Sequence, residues 1–282
     1  MPGTLFVVAT PIGNLEDITL RALRVLREVS VIAAEDTRRT AHLLSRHAIA
    51  TRTTSLHEHN ESKKTAAIVD RLLKGEDVAL VSDAGTPTIS DPGGHLIQEA
   101  VAAGVPVVPI PGPSAVMTAL AASGLPTDTF TFLGFPPIRS TDRAQWFETL
   151  ANAPGTVVFF EAPHRIHATL DELRRTIGDR HIVVGRELTK IHEEFIRGPV
   201  STVNTVALGE RGEFTVVVNI GQLTNNVVAV APSPSELAQQ FGELTATNGV
   251  TRRQAIAQLA KRYHLAANDV YNAIEISKKS VE

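Results

Sequence analysis

Three segments combine glycine, proline and small hydroxyl residues in a way that suits holding a ligand: Ala9-Thr10-Pro11-Ile12-Gly13-Asn14-Leu15, Ser82-Asp83-Ala84-Gly85-Thr86-Pro87 and Pro111-Gly112-Pro113-Ser114-Ala115. Glycine lets a backbone come close to a bound molecule, and proline fixes its shape in advance. The third segment leads into a helix N-terminus, where free amides and the helix dipole favour a carboxylate or phosphate. One such segment is an ordinary turn; three in comparable positions point to one shared pocket. No G-x-G-x-x-G follows the first apolar run and no G-x-x-x-x-G-K-[ST] occurs, so neither a dinucleotide nor a P-loop nucleotide is expected. His57-Glu58-His59-Asn60-Glu61 and His192-Glu193-Glu194-Phe195-Ile196 both miss H-E-x-x-H, because neither ends in histidine, and no metal site is expected. The chain has no cysteine, which excludes a thiolate nucleophile and a cysteine-ligated zinc and fits a reducing compartment.

The elements that must position these segments follow from short apolar, β-branched runs with helical patterns between them. The runs are Leu5–Ala9, Val29–Ala34, Val78–Val81, Val105–Ile110, Thr156–Phe160, Ile182–Gly185 and Phe214–Ile220. Ile18, Ala22, Val25, Leu26 and Val29 form one apolar stripe of a first helix, with Asp17 as its expected N-cap. Further helices are expected to start at Asp91-Pro92 and near Pro113-Ser114. This alternation predicts an α/β protein with a mostly parallel, buried sheet, whose ligands lie at the carboxyl ends of the strands. The three segments occupy such ends.

Past Leu125 the texture changes, and Gly134-Phe135-Pro136-Pro137 reads as a stiff connector into a second set of strands and helices. Asn225 to Pro234 reads as a linker, followed by helical patterns around 235–245, 251–262 and 268–278. Thr251 and Asn268 or Asp269 are the expected caps of the last two. The expected organisation is therefore 1–122, 123–225 and a small helical extension, 226–282. Tyr263 and Tyr271 are expected to pack the extension's core.

With 282 residues, 43% hydrophobic and 20% charged, the composition is that of an ordinary globular protein. No apolar run approaches the roughly 20 residues of a membrane span. The N-terminus lacks the basic region of a signal peptide, so a cytoplasmic location is expected. A net charge of −3 does not announce a nucleic-acid binder. Local charge is less even: Arg21, Arg24, Arg27, Arg38, Arg39, Arg46 and Arg52 stand against only Glu28, Glu35 and Asp36, the last segment is also basic, and either stretch could meet phosphates. Solvated helix faces would look the same.

The segments ATPIGNLEDIT (9–19), AAEDTR (33–38), LHEHNE (56–61), SDAGTPTISDPG (82–93), PGPSA (111–115), FFEAPHR (159–165), RELTK (186–190) and GEFTVVV (212–218) resemble, in order, those of the ribosomal RNA small-subunit methyltransferase I family. The resemblance covers roughly residues 4–220. It implies a tetrapyrrole-methylase-like (class III methyltransferase) fold, with two α/β domains, S-adenosylmethionine in the cleft between them, and a homodimer. It also implies 2′-O-methylation of a decoding-region cytidine in 16S ribosomal RNA, with naked RNA or the small ribosomal subunit as partner. Porphyrinoid relatives usually carry GxGPGD after the first strand; Ala9-Thr10-Pro11-Ile12-Gly13-Asn14 departs from that and favours the RNA branch.

On this resemblance the cofactor is expected against Pro11, Ile12, Ala84, Gly85, Thr86, Pro87, Ile89, Ser114 and Ala115. Thr86 and Ser114 offer hydroxyls, and Ile12, Pro87, Ile89 and Ala115 offer apolar walls. A 2′-hydroxyl is a poor nucleophile, and Glu35, Asp36 and Asp83 are the candidates to take its proton, with Glu161 next in line. An aspartate after a strand serves equally well as a helix cap or turn former. Substrate contacts are expected from Arg38, His57, Asn60, Glu161, His164, Arg165, Arg186 and Lys190, although structural ion pairs would account for the charged ones. The alternatives are a small-molecule tetrapyrrole-type methyltransferase and a non-enzymatic RNA-binding assembly factor.

Overall fold

The computed structural model describes residues 1–206, 208, 212–221, 234–246, 250–263 and 267–279. In chain order these form β1 (Leu5–Val8), α1 (Leu20–Glu28), β2 (Val31–Ala34), α2 (Thr37–Arg46), β3 (Thr53–Ser55), α3 (Glu61–Leu73), β4 (Val78–Val81), α4 (Gly94–Ala102), β5 (Val107–Ile110), α5 (Ala115–Ser123) and β6 (Phe130–Phe132). There follow α6 (Ser140–Asn152), β7 (Gly155–Glu161), α7 (Ile166–Ile177), β8 (His181–Arg186), β9 (Glu194–Pro199), α8 (Val200–Val203), β10 (Phe214–Gly221), α9 (Pro234–Ala246), α10 (Arg252–Tyr263) and α11 (Ala267–Lys279).

The first five strands form a parallel sheet in the order β3-β2-β4-β1-β5. Its central strands are buried on both faces, which explains their continuous apolar sequences. Val8, Ile32, Val81 and Ile110 pack under α1 and α2, while Leu5, Val31, Val78 and Leu80 pack under α3 and α4. The second sheet, β6-β7-β10-β8-β9, corrects the expectation of parallel pairing: only β6 and β7 run parallel, and the other neighbours are antiparallel. One face, with Val157, Phe159, Ile182, Val184, Val216 and Val218, packs against α6, α7 and α8. The other face, with Val158, Val183 and Val217, takes Val116, Ala119 and Leu120 of α5. Both sheets belong to one compact unit, Met1–Gln222.

Local chemistry moves several boundaries. Asp17 does not cap α1; it ends a 3-10 turn begun by Leu15, and the Thr19 side chain accepts the Ala22 amide instead. The helix expected at Asp91-Pro92 starts at Gly94, because Gly93 takes a left-handed conformation (φ 118°) there. A Cβ at that position would lie 2.7 Å from the Leu80 side chain. Among the strands without a clear sequence signal are β3, β6 and β9, all of them at sheet edges.

The last unit begins at Leu223 and packs Leu237, Phe241, Ala255, Leu259, Val270 and Ile274 into a core of its own. Thr251 caps α10 as expected, accepting the Gln254 amide. Asn268 and Asp269 lie inside the first turn of α11 rather than before it. Tyr263 joins the core and donates to the Gln240 side chain at 2.8 Å, whereas Tyr271 is exposed, against expectation. Of the expected linker, Asn225 to Pro234, residues 225–233 lie outside the described residues, and Pro234 is instead the first residue of α9. Among the described residues no helix is long and apolar enough to cross a membrane.

Candidate active site

The loops after β1, β4 and β5 are joined to one another at the carboxyl edge of the first sheet. Thr10 and Gly85 exchange backbone hydrogen bonds of 2.9 and 3.0 Å, and the Thr10 hydroxyl donates to the Ser82 carbonyl. Gly112 brings the third loop against the first so closely that a Cβ would meet that of Ala9 at 3.0 Å. A cavity of about 310 Å³ opens beside them. Ile12, Ala84, Gly85, Thr86, Ile89, Ser114 and Ala115 line it; Pro11 and Pro87 do not. Pro11 faces a smaller neighbouring cavity with Arg39, His42 and Asp83. The Ser114 hydroxyl also caps α5, accepting the Met117 amide at 3.4 Å.

The second sheet supplies the opposite wall with Phe160, Glu161, Ala162 and Pro163 at the end of β7, and with Gly212 to Thr215 at the start of β10. Phe135, from the stretch read as a connector, packs against Phe160 with the ring centres 5.4 Å apart and the planes tilted by 57°, and lines the cavity too. Volume and lining are those of a small-molecule site: mostly apolar walls with a few polar groups.

The three carboxylates expected to take a proton adjoin the cavity but do not line it. Asp36 caps α2 through the Arg38 amide at 2.8 Å and pairs with the Arg38 guanidinium at 2.7 Å. That pairing holds the Asp36 carboxyl well below its usual range. Asp83 accepts the Asp36 amide at 2.9 Å and faces Arg39 at 3.4 Å. Glu35 accepts the Asp83 amide at 3.2 Å, and burial pushes its carboxyl up. Asp91, read from the sequence only as a helix cap, lines the cavity itself. Burial first, then the charges of Glu35 and Asp83, push its carboxyl up to about 6, against a lowering hydrogen bond from Ser82.

Glu61 fixes this loop from behind. Its Oε1 accepts the amides of Gly93, His95 and Leu96 at 3.1, 2.9 and 3.2 Å, which caps α4 from another helix. Thr88 (φ 73°) and Ser90 (φ 67°) in the same loop hold left-handed conformations that cost a non-glycine residue on the order of 1 kcal/mol or more. Glu187 (φ 50°) and Thr189 (φ 67°) do the same in the loop after β8, whose Thr189 hydroxyl accepts the Asn14 amide at 3.0 Å. Strained backbone thus concentrates in two loops beside the site.

The residues expected to touch substrate do not form one surface. His57 and Asn60 bond each other at the start of α3, beyond edge strand β3. Glu161 lines the cavity, yet its carboxylate accepts the Thr169 hydroxyl at 2.5 Å and the Ala162 amide at 2.8 Å, and pairs with Arg165 at 3.3 Å. Arg165 also donates to the Pro136 carbonyl. His164 and Arg38 are exposed. Arg186 lies 3.8 Å from Glu194, with its Nε buried and unpartnered. Lys190 bridges Glu187 at 2.9 Å and Glu213 at 3.2 Å, and Glu213 belongs to the cavity rim. Among the described residues no cluster of potential metal ligands occurs.

The missed residues had little signal. Phe160 and Phe214 read as interior strand residues, and Gly212 becomes part of a wall only because β10 runs antiparallel to β7. Asp91 was visible inside SDAGTPTISDPG, but its proline neighbour suggested a cap.

The sequence model of the family described as Tetrapyrrole (Corrin/Porphyrin) Methylases matches residues 4–204. A protein of Halalkalibacterium halodurans named ribosomal RNA small subunit methyltransferase I is 43% identical over 280 residues, covering 96% of this chain and 94% of that protein. The protein of the same name in Bacillus subtilis is 41% identical, covering 98% and 95%. Among solved structures, diphthine synthase is similar with a TM-score of 0.62 at 16% identity, over 77% of this chain and 90% of that one. The uroporphyrin-III C-methyl transferase of Thermus thermophilus complexed with S-adenyl homocysteine has a TM-score of 0.56 at 18% identity, over 81% and 100%. At such identities the two structures speak for the fold alone.

Proposed function

We propose that this chain, which belongs to the tetrapyrrole (corrin/porphyrin) methylase family, is an S-adenosylmethionine-dependent methyltransferase acting on the 2′-hydroxyl of a decoding-region cytidine in 16S ribosomal RNA. The observation that carries the reading is near full-length similarity to proteins named ribosomal RNA small subunit methyltransferase I. The convergence of three loops on one cavity supports it.

The cavity suits the cofactor. Ile12, Ile89 and Ala115 offer apolar contacts for an adenosine, while the backbone at Ala84, Gly85 and Thr86 and the Thr86 and Ser114 hydroxyls offer polar ones. Pro11 and Pro87 shape the loops from outside it. When bound, the cofactor supplies an electrophilic methyl group on a sulfonium. The protein's share is alignment of the acceptor oxygen, exclusion of water and acceptance of one proton. Residues 1–122 then carry the cofactor loops and the substrate side, and 123–225 close the cavity and make homodimer contacts. The basic extension, 226–282, helps grip RNA. Ribosomal RNA as substrate places the protein in the cytoplasm.

The test is nucleoside mass spectrometry of 16S ribosomal RNA from cells lacking the protein. Loss of one 2′-O-methylated cytidine, restored by the purified protein and S-adenosylmethionine, is the expected result. Persistence of every 2′-O-methylated nucleoside would sink the assignment, and methylation of a purified porphyrinoid without RNA would replace it.

A further inference from the structure

We propose that Asp91, a residue outside the carboxylates marked by the sequence, receives the proton of the acceptor hydroxyl, with Glu35 behind it as a positioning residue. The inference rests on the methyl-transfer reading above and deepens it.

The geometry selects Asp91 by what surrounds each carboxylate. Among the described residues, three carboxylates line the cavity: Asp91, Glu161 and Glu213. Glu161 is committed to Thr169, the Ala162 amide and the Arg165 guanidinium. Glu213 pairs with Lys190 at 3.2 Å, and its side chain is 72% exposed. Among the described residues Asp91 pairs with no cation. The charged groups acting on it are Glu35, which follows β2, and Asp83, from its own loop, opposed by the Ser82 hydroxyl. The amides at the start of α4, which would otherwise favour an Asp91 anion, are taken by Glu61.

The consequence is a base of suitable strength. A carboxylate near 4 is a weak proton acceptor at neutral pH, whereas one at about 6 is ionised there and still binds a proton well. As the hydroxyl oxygen bonds to the methyl carbon of a sulfonium donor, the carbon–sulfur electron pair stays on sulfur. The hydroxyl proton moves to an Asp91 carboxylate oxygen and from there to solvent. Glu35 acts on Asp91 through its charge: ionised, it disfavours a second negative charge on Asp91 and so raises its affinity for the proton.

The experiment uses the full-length protein, small ribosomal subunits lacking the modification, and S-adenosylmethionine. The wild type is expected to lose kcat below an acid limb near pH 6, and a carboxyl NMR titration of the ligand-free protein should place Asp91 at the same pH. Asp91→Asn should lower kcat about 10²- to 10⁴-fold, with S-adenosylhomocysteine binding by calorimetry within about twofold of wild type. Glu35→Gln should move both the acid limb and the Asp91 titration down by roughly half a pH unit. Asp91→Asn retaining more than a tenth of wild-type kcat, or Glu35→Gln leaving both titrations in place, would overturn the proposal while leaving the methyltransferase reading intact. A wild type that transfers no methyl to the subunit defeats the reading itself.

Discussion

The two sheets of the first unit use their carboxylates in opposite ways. Beside the parallel sheet, Glu35, just after β2, and Asp91, in the loop between β4 and α4, are partly buried, and burial together with neighbouring carboxylates pushes both carboxyls up. In the mixed sheet, Glu161 is buried deeper, with 0% of its side chain exposed, and its carboxylate is matched by the Arg165 guanidinium, the Thr169 hydroxyl and the Ala162 amide. One sheet tolerates electrostatic frustration where strand ends converge on a cavity; the other closes that cavity and resolves its charges. Frustrated ionisable groups in a cleft are characteristic of reactive sites, whereas compensated buried pairs hold a structure together.

Mutations that exchange these behaviours would break the comparison. The largest effect is expected from Glu161→Ala, which leaves the partly buried Arg165 without its counter-charge and the Thr169 hydroxyl without its acceptor. It should cost about 3 kcal/mol in urea unfolding at neutral pH. A loss below about 1 kcal/mol would mean that the two carboxylates are not opposites. Asp91→Asn should act with the other sign. Its folded-state pKa lies above the unfolded value, so ionised Asp91 costs stability once pH passes through its folded pKa. The penalty is absent below about pH 4, develops as pH rises to about 6 and is complete above that. Discounted for solvent exposure, removing it should stabilise the protein by up to about 2 kcal/mol at pH 8 and by nothing at pH 4. A thermal melting series across that range reads the difference.

Glu61→Ala should cost about 1–2 kcal/mol, because three amides lose their acceptor and turn to solvent. It should also weaken S-adenosylhomocysteine binding several-fold in calorimetry, since the loop carrying Thr88 and Ser90 is no longer held from behind. Unchanged cofactor affinity would separate that clamp from the site. The smallest effect is expected from deleting residues 231–282: rRNA affinity at physiological salt should fall about fivefold and its salt dependence should flatten. Unchanged binding in a filter or fluorescence assay removes the extension from the RNA interface.

How much of this was legible in the sequence follows the same division. Parallel strands buried on both faces, such as Val78–Val81, announce themselves as apolar runs, and their Gly/Pro loops announce the cavity. Seven of the nine residues expected against the cofactor line it, from Ile12 to Ala115. Edge strands β3, β6 and β9 are half solvated and mix in polar residues, so Thr53–Ser55 and Glu194–Pro199 gave no run to find. The pairing direction of the second sheet depends on contacts far apart in sequence. Its contribution to the wall, through Phe160 and Phe214, was therefore hidden inside ordinary strand patterns. Asp91 illustrates a different limit: Asp83 shares its loop, but Glu35 is brought to it by β2 from more than fifty residues away, and no local spacing records that.

Helix α5 ends the first half of the chain but packs on Val158, Val183 and Val217 of the second. The last of these belongs to β10, the strand that joins β7 to β8. During synthesis, α5 therefore emerges roughly 100 residues before its cover can be completed, about 5 to 20 seconds at ordinary elongation rates. Through that interval the growing chain carries an exposed apolar helix beside a finished parallel sheet. It is the nascent protein's natural point of call for a chaperone, and the place where slowed translation would be felt first.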